Sequence, residues 1–348
     1  MRLLYRQDQY PVFQNRAYDS PAEARACVRG DIRLVEDLRT GLVYNEAFEP
    51  ARMKYDAHYQ NEQAKSPVFQ SHLEEVARIV ARHLGREALV EVGCGKGYFL
   101  ELLLAKGLDV AGFDPAYEGR NPRIQKRYFG EGASFQAQGM VLRHVLEHVC
   151  DPVGFLRRLR DANGGRGQIY VEVPCLDWIC RHRAWFDVYY EHVNYFRLSD
   201  FRRMFGTVAA AGRLFGGQYL YVVADLASLR IPVRDPGDAA SFPEDFLRGI
   251  AGPPPRPGPA AIWGAASKGV VFALARERMG RPIDVAIDVN PAKQGKYLPA
   301  TGLRVQSPAE AMAVLPAGST VYVMNSNYLE EIRQMSNNQY HYEGIDHE

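Results

Sequence analysis

A short aromatic segment near the middle of the chain holds the residue types that proton transfer requires. It reads Tyr189-Tyr190-Glu191-His192, and Tyr195 follows soon after. An imidazole titrates near neutral pH, so His192 is a candidate general base. Glu191 could raise the basicity of that imidazole or orient a water molecule, and Tyr189 could donate a hydrogen bond to an oxyanion. The alternative is a buried aromatic cluster in which His192 has only a structural partner.

An earlier stretch has the residues of a nucleotide-binding turn. Glu91 lies in a short apolar run, and Gly93, Gly95 and Gly97 follow at once. Glycines let the backbone bend sharply and approach a ligand closely, because no Cβ stands in the way. An acid after the next strand can accept hydrogen bonds from a ribose diol, and Asp114 lies about 17 residues past the last glycine, near the expected distance.

The spacing of the glycines distinguishes two classes of ligand. The dinucleotide motif G-x-G-x-x-G requires Gly or Ala at position 98, where this chain has Tyr98. The turn therefore favours an adenosine site without phosphates over a pyrophosphate site. The alternative is a generic Rossmann turn that binds NAD or no ligand.

These residues need a parallel α/β sheet to bring them together. Strand, glycine turn, helix, strand and acid follow one another over residues 88–115, with the helix at Tyr98–Ala105. The spacing of apolar residues predicts an amphipathic helix over Pro67–Leu84. A further strand is expected over Gln168–Pro174, where a proline stops it.

The same pattern restarts near the C-terminus. Residues 231–259 are rich in proline and mark a linker. Beyond them a strand, the turn Gly264–Gly269 and a helix predict a second, smaller Rossmann-like unit. Ser267 and Lys268 stand at the start of that helix, where they could contact an anion.

With these motifs in view, the chain resembles the class I S-adenosylmethionine-dependent methyltransferases, and in particular the C-methyltransferases that act on nucleotide-linked deoxysugars. Glu91–Gly97 looks like their cofactor signature. Tyr189–His192 resembles their Y-D-E-H segment, although Tyr190 replaces the acid, whose role is not carried over. Gly264–Gly269 and Asp288–Pro299 resemble the G-A-x-x-K-G and D-x-N-P-x-K-Q-G-x-x-L-P segments of their C-terminal domain.

The resemblance implies S-adenosyl-L-methionine as the cofactor, with His192 as the base and Tyr189 and Glu191 beside it. Tyr195 joins Ser267 and Lys268 as a candidate acceptor contact. The candidate cofactor contacts are Tyr59, Gln63, Glu91, Gly93, Gly95, Gly97, Asp114, Pro115, Leu142, Arg143 and His144.

The implied fold is α/β: a seven-stranded class I sheet with a small N-terminal module and a second Rossmann-like domain. We expect an N-terminal module over residues 1–66, a cofactor domain over 67–230, a linker over 231–259 and a C-terminal domain over 260–348 that closes the acceptor cleft.

The N-terminal module is expected to hold no metal. Gly41–Tyr44 resembles part of a zinc-binding module of the sugar enzymes, but of the ligand cysteines only Cys27 is kept, and structural zinc needs about four ligands. His144 and His148 are spaced to share a metal on a helix face, yet no third ligand follows at a telling distance. The expected metal content is therefore none.

Composition narrows the class of partner. The 348 residues are 47% hydrophobic and 24% charged with a net charge of +1, which implies no general attraction to nucleic acid or membrane. No apolar run reaches the ~20 residues of a membrane span. The first residues lack the apolar core of a signal peptide, and the cysteines form no C-x-x-C pair. We expect a cytoplasmic monomer or homodimer with a small-molecule acceptor.

The expected function is methyl transfer from S-adenosylmethionine to a nucleotide-linked sugar or a related natural-product intermediate. Tyr190 and the lost zinc ligands leave open an O- or N-methyltransferase of a non-sugar pathway. A third possibility is an NAD-binding oxidoreductase or a non-catalytic binding protein, against which Tyr98 argues. The sequence does not say whether carbon, oxygen or nitrogen is methylated.

Overall fold

The computed structural model describes residues 1–53, 66–129, 136–247, 256 and 258–346, so the expected contacts Tyr59 and Gln63 lie outside the described residues. Within these ranges the strands are β1 (Arg2–Pro11), β2 (Arg29–Glu36), β3 (Val43–Asn45), β4 (Leu89–Val92), β5 (Val110–Phe113), β6 (Ile124–Gln125), β7 (Gly139–Arg143), β8 (Gln168–Pro174), β9 (Asn194–Tyr195), β10 (Val208–Leu214), β11 (Tyr219–Asp225), β12 (Ala260–Trp263), β13 (Val285–Ile287), β14 (Val305–Gln306), β15 (Thr320–Val323) and β16 (His341–Gly344). The helices are α1 (Pro21–Arg25), α2 (Pro67–Leu84), α3 (Tyr98–Ala105), α4 (Pro152–Ala162), α5 (Leu176–Arg181), α6 (Leu198–Met204), α7 (Lys268–Arg278), α8 (Pro308–Val314) and α9 (Leu329–Met335).

The central unit is built on a seven-stranded sheet with the order β10-β11-β8-β7-β4-β5-β6. Neighbouring strands from β8 to β6 are parallel, whereas β11 runs antiparallel to both of its neighbours. This mixed sheet with one reversed strand is the class I arrangement, so the expected fold is confirmed. Strand β4 lies inside the parallel part of the sheet, between β7 and β5. The glycine turn that follows it is therefore at the carboxyl edge, where ligands of such sheets bind.

Helix α2 shows how local sequence sets the elements of this unit. Ser66 caps it by accepting a hydrogen bond from the backbone of Phe69 at 3.4 Å, and a proline occupies the first turn. Its apolar stripe, which includes Leu73 and Val80, packs into the core beneath the sheet. Among the residues that the structure describes, no helix combines the length and the apolar composition that a bilayer crossing requires.

The C-terminal unit is a five-stranded sheet with the order β14-β13-β12-β15-β16, and all of its strand pairs are parallel. This confirms the expected second Rossmann-like unit. A shared core of buried residues runs from the N-terminal sheet through the central unit to Ile262 and Val270 of this unit. The units therefore pack against one another through apolar contact as well as through the chain itself.

The N-terminal residues form an antiparallel sheet with the order β1-β2-β3-β9. Its last strand comes from the middle of the chain, because Asn194 and Tyr195 pair with Tyr44 and Val43. The sheet thus incorporates the end of the segment that carries His192. Strand β1 was not expected from the sequence, since register shifts along its pairing with β2 break the alternation by which strands are recognised.

The ring of Tyr190 fills the space above Gly30 of β2, and this contact gives the first prediction. A Cβ added at Gly30 would lie 2.3 Å from Cε2 of Tyr190, a ring that is fully buried and cannot move aside cheaply. Gly30→Ala is therefore expected to lower the free energy of unfolding by about 1–3 kcal/mol, measured by urea denaturation.

Gly206→Ala is the matched control, because a Cβ there meets nothing closer than 3.5 Å. An equal, small effect of both substitutions would show that the N-terminal sheet does not depend on the Tyr190 contact.

Candidate functional site

A cleft of about 400 Å³ lies between the carboxyl edge of the central sheet and the C-terminal unit, a volume that suits a small-molecule ligand. All three parts of the chain contribute to its wall. The expected contacts that border the cleft are Glu91, Gly93, Gly95, Arg143, His144, Tyr189, His192, Ser267 and Lys268. The expected contacts that lie outside its wall are Gly97, Asp114, Pro115, Leu142, Glu191 and Tyr195.

The turn after β4 has the backbone shape that only glycine adopts freely. Gly93, Gly95 and Gly97 have φ values of 74°, 54° and 83°. Asp114 fastens this turn to the end of β5, because its Oδ2 accepts a hydrogen bond from the backbone of Gly95 at 2.8 Å. Leu142 is buried in the core behind the cleft. The turn leaves open space at Gly95, where an added Cβ would have no neighbour within 4 Å.

Glu91 is a buried acid at the base of the cleft. Its Oε2 has no hydrogen-bond donor within reach among the described residues. Burial raises the pKa of Glu91 to about 8; Arg143 opposes this shift and Asp114 adds to it. Without a ligand the carboxyl group is thus mostly protonated at neutral pH. A positively charged ligand fits this site, because it would stabilise the carboxylate and give Oε2 a partner.

Behind Glu91, a second acid, Glu172 on β8, collects four partners. Its Oε1 contacts Nη2 of Arg143 at 3.0 Å, Nε2 of His72 at 3.2 Å and Nε2 of His144 at 3.1 Å, and its Oε2 accepts from Tyr170 at 2.6 Å. Burial alone would raise the pKa of Glu172, but Arg143 and the two imidazoles hold it well below its ordinary value. The hub fixes the floor of the cleft with a buried, fully bonded carboxylate.

Sequence reasoning did not find this hub. Glu172 stands inside an otherwise apolar strand, and an acid in such a position has to be paired when the strand is buried. That was the available signal, but its partner His72 lies one hundred residues away, as the hydrogen bond between them records.

His192 lies in the wall of the cleft and is 6% exposed. Its ring centre is 4.2 Å from that of Tyr189 and 4.9 Å from that of His148. Burial holds the pKa of His192 well below its ordinary value, and the imidazoles of His148 and His144 lower it further. The resting imidazole is therefore neutral at physiological pH and has a lone pair with which to accept a proton.

Glu191 and Tyr195, which are near His192 in the sequence, do not line the cleft. Oε1 of Glu191 accepts hydrogen bonds from the backbone amides of Gln14 at 2.6 Å and Asn15 at 3.2 Å. Glu191 therefore holds the N-terminal segment, and the lowered pKa of His192 is opposite to the effect expected of an adjacent carboxylate. The hydroxyl of Tyr195 donates to the carbonyl of Tyr189 at 3.0 Å, so it supports Tyr189 from behind.

A neighbouring turn supplies a different carboxylate to the site. Glu147 is 1% exposed, and its Oε1 lies 3.2 Å from Nδ1 of His144. One carboxylate oxygen of Glu147 and one ring nitrogen each of His148 and His192 lie within 4.8 Å of one another. This spacing could hold a metal ion, so the expectation of no metal stays a prediction.

Lys268 joins the C-terminal unit to the central unit across the cleft. Its Nζ lies 3.2 Å from Oδ2 of Asp187 and donates to Oε1 of Gln218 at 3.0 Å. The charge of Lys268 is thus already paired with the carboxylate of Asp187. This pairing argues against the expectation that Lys268 binds an anionic ligand by its charge alone. Ser267 has a strained backbone, with φ 32°, and its Oγ donates to Oδ1 of Asn15 at 3.1 Å.

Two family models match the chain. A model described as a methyltransferase domain matches residues 57–208, and one described as a C-methyltransferase C-terminal domain matches residues 258–345. No curated protein matches.

Similar solved structures cover about half of the chain. A SAM-dependent methyltransferase from Archaeoglobus fulgidus is 17% identical, with 46% of this chain and 100% of that one covered and a TM-score of 0.33. The 1,6-didemethyltoxoflavin-N1-methyltransferase of Burkholderia thailandensis is 16% identical, with 55% and 97% covered and a TM-score of 0.34. The magnesium protoporphyrin IX methyltransferase of Synechocystis PCC 6803 is 16% identical, with 45% and 82% covered and a TM-score of 0.35.

The methyltransferase-domain match agrees with the glycine turn beside Glu91, and the expected cofactor is S-adenosylmethionine. The sulfonium of this cofactor carries a positive charge, which would stabilise the ionised form of Glu91. Its affinity is therefore expected to rise as pH rises towards about 8, because binding favours the ionised form of Glu91.

The ligand-free fold is expected to show the opposite trend. Folding raises the pKa of Glu91 from 4.5 to about 8. Its contribution to the free energy of unfolding is therefore complete below pH 4.5 and is lost as the pH rises through about 8. Calorimetric titration and thermal melts across this range measure both trends. Glu91→Gln should flatten them, whereas Glu87→Gln on the exposed surface should not. Trends that survive Glu91→Gln would assign them to another group.

Proposed function

We propose that this chain, an S-adenosylmethionine-dependent methyltransferase by its matched domains, methylates a nucleotide-linked sugar or a related natural-product intermediate held between its two α/β units. The observation that carries the proposal is the shared cleft. The cofactor turn at Gly95, the imidazole of His192 and the start of α7 at Lys268 all border it. A cofactor and an acceptor bound there would meet in a space from which most bulk water is excluded.

His192 is the proposed general base. Its buried, neutral imidazole accepts the proton that leaves the acceptor, and Tyr189 beside it donates a hydrogen bond to the oxygen on which charge develops. When bound, the cofactor supplies an electrophilic methyl group. If the acceptor atom is carbon, as the C-methyltransferase match at residues 258–345 supports, the base acts first, because carbon becomes nucleophilic only as an enolate.

The acceptor side of the cleft carries groups that suit a hydroxylated ligand. Asp187 and Lys268 form a buried ion pair there, and Asn15, Ser267 and Asn325 also border the space. A sugar hydroxyl both donates and accepts, so it can bond to either member of such a pair without leaving the other unpaired. Lys268 would then orient the acceptor through the ion pair and would not act as a free cation.

O- or N-methyl transfer to a non-sugar acceptor is the second candidate. The structure offers one observation in its favour, which concerns Tyr190, the residue that replaces the acid of the sugar enzymes. Its ring is buried under Gly30, and its hydroxyl accepts a hydrogen bond from the backbone of Glu49 at 2.8 Å. Tyr190 is thus part of the N-terminal packing, and this position brings no acid to the acceptor.

The base role predicts the behaviour of His192→Asn. Loss of the imidazole should lower kcat by about 10²–10⁴, because proton removal then falls to water, while the Kd for the cofactor stays the same. Steady-state kinetics on nucleotide-linked keto sugars and on phenol or N-heterocycle acceptors measure kcat and choose between the two candidates. Calorimetry with the cofactor measures Kd.

If the acceptor atom is carbon, hydrogen exchange at that atom measures the base directly. Wild-type enzyme should exchange the acidic carbon-bound hydrogen of the sugar for solvent deuterium, and His192→Asn should not. The control is His341→Asn, which alters an exposed imidazole on β16. Wild-type turnover in the His192 variant would remove the base from the proposal.

A further inference from the structure

The turn that carries Glu147 and the segment that carries His192 are fastened together along their backbones. The amide of Val193 donates to the carbonyl of Glu147 at 2.7 Å. Nδ2 of Asn194 donates to the carbonyl of Val149 at 2.6 Å. These bonds hold the backbones of the two segments together independently of any ligand, so the side chains of Glu147 and His192 start from neighbouring positions.

Each of the two side chains at this junction has a buried polar atom without a partner among the described residues. Oε2 of Glu147 and Nδ1 of His192 are both inaccessible to solvent, and neither has a hydrogen-bond partner among the described residues. Leaving such atoms unbonded costs free energy, so a fold retains them where they serve a purpose. The separation of up to 4.8 Å in the cluster can be closed by a small rotation of either side chain or bridged by one water molecule.

The other oxygen of Glu147 is held in place by a strained histidine. His144 has a φ of 50°, which a residue with a Cβ rarely adopts. Its Nδ1 lies 3.2 Å from Glu147 and its Nε2 lies 3.1 Å from Glu172, so both ring nitrogens face carboxylates. An imidazole between two carboxylates is held as the cation. His144 thus holds Oε1 of Glu147, which leaves the buried Oε2 as the oxygen without a partner.

We propose that Glu147 is the positioning residue of the base: its carboxylate orients the imidazole of His192 and stabilises the imidazolium that forms when His192 takes a proton from the acceptor. This inference rests on the base role of the proposed function. It assigns to Glu147 the part that sequence adjacency suggested for Glu191, whose carboxylate holds the N-terminal segment.

The proton balance follows from the two nitrogens of one imidazole. When a small rotation or one bridging water closes the gap, the buried Nδ1 of His192 carries the hydrogen and donates it towards Glu147, which leaves the lone pair on Nε2. The acceptor's C–H or O–H bond breaks, its electron pair stays on the acceptor, and the proton forms a new bond to Nε2. The resulting cation is paired with the carboxylate of Glu147 until the proton passes to solvent.

His148 is the other neighbour in the cluster that could orient the imidazole of His192. Its Nδ1 donates to the carbonyl of Glu191 at 2.8 Å, which leaves Nε2 as its lone-pair nitrogen beside His192. His148 can thus receive the proton after turnover, but its hydrogen points away and cannot orient His192. In this cluster the orienting acceptor is the carboxylate of Glu147.

The test compares Glu147→Gln with a matched substitution of another buried glutamate. Glu147→Gln should lower kcat by about 10–100-fold with little change in KM, because it weakens a group that acts through another residue. Nitrogen-15 NMR of the ligand-free protein should show His192 as one tautomer in the wild type and as a mixture in the variant. Glu36→Gln removes a fully buried carboxylate far from the cleft; it should lower the melting temperature without altering kcat or the His192 spectrum.

Glu147→Asp is the second variant, to be used if Glu147→Gln does not fold. It keeps the carboxylate and should recover part of kcat and of the tautomer preference. If Glu147→Gln folds and keeps wild-type kcat and the wild-type His192 spectrum while His192→Asn is inactive, this inference is wrong and the base role stands. A change of tautomer in Glu191→Gln alone would identify Glu191 as the partner instead. About one divalent metal ion per purified chain, lost in Glu147→Gln, would also overturn the inference, because the three groups would then be ligands.

Discussion

The position of the candidate base depends on one residue, Val193, whose backbone is hydrogen-bonded on both sides. The amide of Val193 donates to the carbonyl of Glu147 in the central unit, and its carbonyl accepts from the amide of Asn45 in the N-terminal sheet at 2.7 Å. His192 precedes this residue directly, so the two bonds together hold it at the edge of the cleft. Strand β3 of the N-terminal sheet therefore supports this segment from behind, although the sheet carries no nucleotide-binding motif.

Two buried acids, Glu172 and Glu91, lie at the floor of the same cleft and differ in their charge state. Glu172 is fully bonded and ionised, whereas Glu91 has an unpaired oxygen and a pKa raised to about 8. The contrast follows from their neighbours: Arg143 and two imidazoles bond directly to Glu172, while Glu91 has only the more distant influence of Arg143. A paired acid gives rigidity, and an unpaired acid marks a place for a charged ligand.

Much of the fold was accessible from the sequence because its local signals agree with its tertiary structure. Helices Pro67–Leu84 and Tyr98–Ala105 and strand Gln168–Pro174 begin and end as expected, since caps, prolines and apolar periodicity all point to the same residues. Strand β9 was not accessible, because two residues give no periodicity and their partners in β3 are distant in the sequence. The clustering of the glycine turn with His192 in one cleft followed from the resemblance, but the partners of His192 did not. Adjacency along the chain favoured Glu191, yet its carboxylate accepts from the amides of Gln14 and Asn15. A carboxylate oxygen of Glu147 lies within 4.8 Å of a ring nitrogen of His192 instead.

The central claim is that the glycine turn beside Glu91 and the imidazole of His192 serve one reaction in one cleft. A crystal structure with S-adenosylhomocysteine and an acceptor or acceptor analogue tests it most directly. We predict the product cofactor against Gly93 and Gly95 and the acceptor between its sulfur and the ring of His192. A cofactor bound elsewhere, or an acceptor separated from His192 by the body of the protein, would contradict the account.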